Sequence, residues 1–143
     1  TAFYQHLAAV SAWENMTVTA AAQAVQHSAA PDAYAQWESE ARALAEALTG
    51  EAPAGLACRY PTQGSSGSMA GLDQALTLEV GPPAAGSAVS PSRGWTVAGW
   101  LVGHAHQYRI AFVAFAGQRW TPAKGAWVAD AGSTATVQVG TRQ

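Results

Sequence analysis

Four histidines, nine carboxylates, six tryptophans and one cysteine are the residues of this 143-residue chain from which chemistry could be built. His104 and His106 stand two apart at what reads as the end of a helix. Side chains at i and i+2 on a helix point about 200° apart, so the two cannot share a metal. Their position predicts the plainer role of histidines near a helix C-terminal dipole. His6 and His27 fall on separate helices with no acid at metal-ligand spacing. No G-x-S-x-G nucleophile turn, Gly-rich phosphate loop or cysteine–histidine pairing occurs. The run Gly64-Ser-Ser-Gly-Ser68 has a phosphate cradle's composition but no following Lys-Ser/Thr, and it reads as a flexible link. Asp73 and Glu79 bracket one short segment, either as a pair facing one cleft or as two solvated acids. Trp95 and Trp100 are expected in the core. Trp120 and Trp127, on facing hairpin arms, are either core cover or an exposed platform for stacking a sugar. Asp73, Glu79, Trp120 and Trp127 are therefore the candidate ligand-binding residues. No catalytic residue, metal ligand or cofactor site is predicted.

The elements that position these residues follow from pattern and punctuation. Ser90 is placed as an N-cap with Pro91 just inside it, where a missing N–H costs nothing. From Trp95 to Ala105 apolar residues run nearly all the way round, with Trp95, Ala98 and Val102 on one stripe, which predicts a buried helix. Gly94, Gly99 and Gly103 each cost that helix about 1 kcal/mol against alanine, and close approach to a sheet is the expected return. Arg109 to Phe115 is continuously apolar after its first residue and rich in β-branched and aromatic types, the signature of a central strand covered on both faces. Gln118 to Thr121 and Gly125 to Val128 read as hairpin arms turning around Pro122 to Gly125. Thr134 to Val139 reads as the last strand. Gln74 to Val80 alternates, which predicts a strand with Leu76, Leu78 and Val80 inward, and Leu56 to Tyr60 is a candidate edge strand.

Upstream, Phe3, Leu7 and Val10 fall at helical spacing. Thr19 is expected to cap a second helix over Ala20 to Ser28, and Pro31 forces a stop at the residue before it. Asp32 is expected to cap a third helix, Ala33 to Leu48, with Tyr34, Trp37, Ala41, Leu44 and Leu48 inward and Glu38–Arg42 one turn apart outside. Gly50 is placed as its left-handed cap. The fold class expected is α+β: an N-terminal helical segment, residues 1–55, then a small, mostly antiparallel sheet with one buried helix, residues 56–143.

Composition excludes several function classes. Net charge is −2, only 11% of residues are charged, and Lys124 is the single lysine. No basic stripe exists to neutralise phosphates, which argues against nucleic-acid binding. No apolar run reaches the roughly 18 residues that span a bilayer. Cys58 has no partner for a disulfide within this sequence; it reads as a small buried hydrophobe or as pairing with a residue outside it. The start at Thr1, already resembling mid-helix sequence, suggests a processed product or an excised fragment.

Two stretches carry a resemblance. Arg93-Gly-Trp-x-x-Ala-x-Trp-Leu-Val-x-His104-Ala, the strand Ile110 to Phe115, Gln118-Arg-Trp-Thr and Gly125-Ala-Trp127 resemble the C-terminal domain of secreted actinobacterial proteins of the D-alanyl-D-alanine carboxypeptidase (hedgehog-type zinc peptidase) superfamily. Ala2-Phe-Tyr4, Ala21-Ala-Gln-Ala-Val-Gln26, Ser28, Pro31, Ala33-Tyr-Ala35, Ala43 through Ala47 to Leu48-Thr-Gly50 and Cys58-Arg59 are similar to the tail of the lysozyme-like transglycosylase domain that precedes it. The resemblance implies a zinc site from an H-x-x-G-R-A-x-D loop–strand motif and a terminal H-x-H strand. Here Gly71 stands where the histidine is expected, Leu78 where the aspartate is expected, and Thr134-Ala-Thr136 where the last histidine should be. A catalytic zinc needs three protein ligands and an open position, and none of these residues supplies one. The resemblance thus implies a non-catalytic, extracytoplasmic cell-envelope module that binds peptidoglycan or a protein partner. The alternative is the C-terminal part of a cell-wall hydrolase whose catalytic residues lie upstream.

Overall fold

The computed structural model describes residues 2–61, 71–82 and 89–142. It is α+β, with five α-helices and a four-stranded antiparallel sheet among the described residues. The chain divides into two compact units, Thr1–Ala43 and Leu44–Gln143, the division falling inside the third helix.

In the first unit, α1 spans Ala2–Ala8 and α2 spans Val18–Gln26. The cap of α2 is Thr17, not Thr19: its hydroxyl accepts from the Ala20 amide at 3.2 Å. Both threonines precede a helical run, and the earlier one, in extended conformation, lets Val18 open the helix. Gln23 closes the other end, donating to the Ser28 carbonyl at 2.8 Å and accepting from its amide at 3.2 Å. α3 spans Glu38–Thr49, five residues later than expected. Residues 31–37 are spent on tight turns, the last a 3₁₀ turn over Ala35–Trp37. Bonds three residues apart, such as Trp37 N–H to Tyr34 C=O, replace the α pattern there. The expected inward stripe is consequently outward: Tyr34, Trp37, Leu44 and Leu48 are exposed, and Ala47 is the buried residue of α3. Glu38 and Arg42 do pair, at 3.1 Å.

The second unit takes in the end of α3, then α4 (Leu72–Val80) and α5 (Pro91–Gly103) with strands β1 (Ile110–Phe115), β2 (Gln118–Thr121), β3 (Ala126–Ala129) and β4 (Gln138–Thr141), in the order β3-β2-β1-β4. The segment expected as a strand over Gln74 to Val80 is helix α4. Leu72 and Leu76, four apart, are buried while Leu78 is 78% exposed. The period is helical; the alternation of Leu76, Leu78 and Val80 coincided with it over a few residues, among Gln, Ala, Leu and Glu, which favour helix. Leu56 to Tyr60 forms no strand. It is tied to β2 and β3 by side chains instead: the Trp120 indole donates to the Cys58 carbonyl at 3.1 Å and the Trp127 indole to the Leu56 carbonyl at 3.0 Å.

α5 forms as its signals predict, with the Ser90 hydroxyl accepting from the Arg93 amide and Pro91 at the first position. Trp95, Val97, Ala98, Leu101 and Val102 are buried. Gly94 permits the approach to the sheet, lying against the Phe115 ring of β1, whereas Gly99 and Gly103 face Leu56 rather than a strand. β1 is central, and its Val113 and Phe115 enter the core beneath α5. On its other face Phe112 is half-buried under the Arg119 guanidinium, 4.0 Å from the ring centroid. β1 turns into β2 through Ala116 and Gly117, both at positive φ, as a type I′ hairpin requires. The last strand begins four residues later than expected, at Gln138, pairing with Ala114.

Candidate functional site: the Glu79–Trp100 cleft

Trp100 lies one turn from the end of α5, and the helix stops at Gly103. His104 is thus the C-cap, and His106 lies beyond the helix and is exposed. Spacing of four places the His104 imidazole on the Trp100 indole, stacked with centroids 4.0 Å apart at 21°. Its Nδ1 sits 2.9 Å from the Trp100 carbonyl. A carbonyl only accepts, so Nδ1 carries the proton there and Nε2 is the free lone pair of the neutral ring. Tyr108, in the turn after α5, closes the aromatic group at 6.0 Å from Trp100.

Glu79 reaches this group from the last turn of α4. Its Oε2 accepts from the Trp100 indole N–H at 2.8 Å and lies 4.0 Å from His104 Nε2. Glu79 and His104 keep 57% and 31% side-chain exposure, so both remain open to a ligand. The cleft beside them, about 340 Å³, is lined by Leu48, Glu79, Val80, Arg93, Thr96 and Trp100. Its cation is committed: the Arg93 guanidinium donates to the carbonyls of Val80, Gly81 (3.0 Å) and Pro82 (3.3 Å), closing the C-terminus of α4. The Thr96 hydroxyl donates to the Thr49 carbonyl at 2.7 Å, tying the end of α3 to α5.

The other candidate residues lie elsewhere. Asp73 opens on a separate, mostly apolar crevice of about 130 Å³ between α4, α5 and the β4 segment. Asp73 and Glu79, six apart on a helix, do not face one cleft. Trp120 has no exposed surface and meets Tyr60 edge-on at 6.2 Å. Trp127 is half-buried, edge-on to Trp95 at 5.1 Å. Of the two readings left open by the sequence, core cover is the one Trp120 adopts.

Two titrating groups are displaced from their ordinary values. Burial, then the neighbouring Cys58 thiol, pushes the Tyr60 phenol up to about 12, and its hydroxyl donates to the Gly103 carbonyl at 3.0 Å. The Arg119 guanidinium, 2.7 Å away, holds the Asp130 carboxyl below the usual carboxylate range, helped by the Gly132 amide. Gly71 and Leu78, where the resemblance would lead one to expect zinc ligands, lie at the cap and on the exposed side of α4. Among the described residues no three of His, Cys, Asp and Glu converge to hold a metal.

The sequence reading missed the pairing of Trp100 and His104 with Glu79. The Trp-x-x-x-His spacing was its local half, and the other half needed α4 to be a helix. No helix among the described residues is long and apolar enough to cross a membrane. No family model, curated protein or solved structure matches the chain.

Proposed function

We propose that this chain is a non-catalytic, extracytoplasmic module of the cell envelope that binds peptidoglycan through the Glu79–Trp100 cleft. The observation that carries the reading is the composition of that cleft: an indole, a carboxylate, a hydroxyl and an apolar leucine side by side. Aromatic rings and polar acceptors grouped in this way suit the apolar faces and polar groups of a glycan with peptide stems. Glycoside hydrolysis by two carboxylates needs them about 5–9.5 Å apart across the bond cleaved. Among the described residues lining the cleft, Glu79 is the one carboxylate, and it is already hydrogen-bonded to Trp100. That favours binding over cleavage. The resemblance to cell-wall proteins supplies the polymer.

The test is co-sedimentation with purified peptidoglycan. The chain is expected in the pellet, with Trp100→Ala left in the supernatant although folded. Failure of the unaltered chain to sediment, or hydrolysis of the polymer by it, overturns the reading.

A further inference from the structure

Glu79 Oε2 and His104 Nε2 face each other across 4.0 Å, too far for a direct hydrogen bond. With Nδ1 protonated toward the Trp100 carbonyl, both facing atoms are acceptors in the neutral-histidine state. We infer that this gap, beside the Trp100 indole, is a binding site for a primary ammonium group. The inference deepens the proposed peptidoglycan reading, on which it rests: it names the free amine of a peptide stem as the group recognised.

The chemistry of the donor decides the class. A sugar hydroxyl has one hydrogen and can satisfy one of the two acceptors. Water can bridge both but brings no charge to the carboxylate. A primary ammonium brings three hydrogens and a positive charge. Seated about 2.9 Å from both acceptors, its nitrogen views them at roughly 90°, within the bending range of a tetrahedral donor. Arg93, the cation lining the same cleft, is turned onto the carbonyls of residues 80–82.

The experiment titrates the whole chain with Nα-acetyl-lysine methylamide and with its Nε-acetylated analogue, reading the Trp100 indole N–H and His104 imidazole signals by NMR. At about pH 8 the amine should shift both signals and the analogue neither. Glu79→Gln, at an exposed position, should weaken binding about tenfold or more. Equal response to both probes, no response to either, or an undiminished response in Glu79→Gln overturns the ammonium site. Sedimentation with intact and amine-acetylated peptidoglycan separates the two claims. Equal retention of both keeps the peptidoglycan reading and overturns the ammonium site. A response to the soluble amine without retention on the polymer supports the site and overturns peptidoglycan as the ligand.

Discussion

A Cβ added at Gly94 would lie 2.0 Å from Cζ of Phe115, inside the ring that β1 presents to α5. The helix packs on the sheet at a separation set by that missing methyl group. At Gly99, five residues on, an added Cβ would meet the Ala47 carbonyl at 3.6 Å and Leu56 at 3.8 Å, ordinary contact distances. Gly94→Ala should therefore destabilise the second unit by about 1–3 kcal/mol or more. Gly99→Ala should be neutral or stabilising by up to about 1 kcal/mol, the helix propensity of alanine over glycine. Urea midpoints of the two variants check this, and a shift in the same direction for both would refute it.

The tryptophans divide by burial. Trp120→Ala removes a side chain with no exposed surface and leaves the Cys58 carbonyl without its indole donor. A loss of about 3–5 kcal/mol is expected, a large part of a small domain's stability. Trp100 was expected in the core but is half-buried. Trp100→Ala should melt closer to the unaltered chain, and its main effect should fall on ligand retention. Thermal melts of the two variants decide, with equal shifts counting against the assignment.

Asp130 gives the fold an acid limit. Its folded-state pKa is depressed, so its contribution is present above the unfolded carboxylate value and disappears as pH falls through the folded one. Asp130→Asn should lower stability near neutral pH and flatten the acid side of the stability profile. The measurement is the urea midpoint across an acid series; parallel profiles for variant and unaltered chain would exclude the effect.

Tyr60 sets the alkaline counterpart. Its pKa is raised, so the folded state favours the neutral phenol. The contribution is whole below the ordinary tyrosine value near about 10 and is lost as pH rises through about 12. Ultraviolet titration of phenolate should show one of the four tyrosines ionising late, and Tyr60→Phe should remove that step alone. A curve unchanged by the substitution would contradict the placement.

Local signals carried the parts of this fold whose causes are local. Ser90 and Pro91 start α5 because the capping hydroxyl reaches an amide only three positions on, and a proline at the first position loses no hydrogen bond. The apolar run of β1 and the turn residues around Gly125 likewise act on their own neighbours, and the α+β class follows from them. Segment 72–80 was ambiguous because two periods fit a few leucines equally, and only burial of Leu72 and Leu76 beneath α5 selects the helix. That choice turned Glu79 away from Asp73 and onto Trp100, 21 positions along the chain. The direction of Trp120 was equally undetermined, since a two-residue period says which residues share a face but not which face is covered. The core, and with it the cleft, comes from packing α4 against α5 and α5 against β1, a relation between residues far apart in sequence.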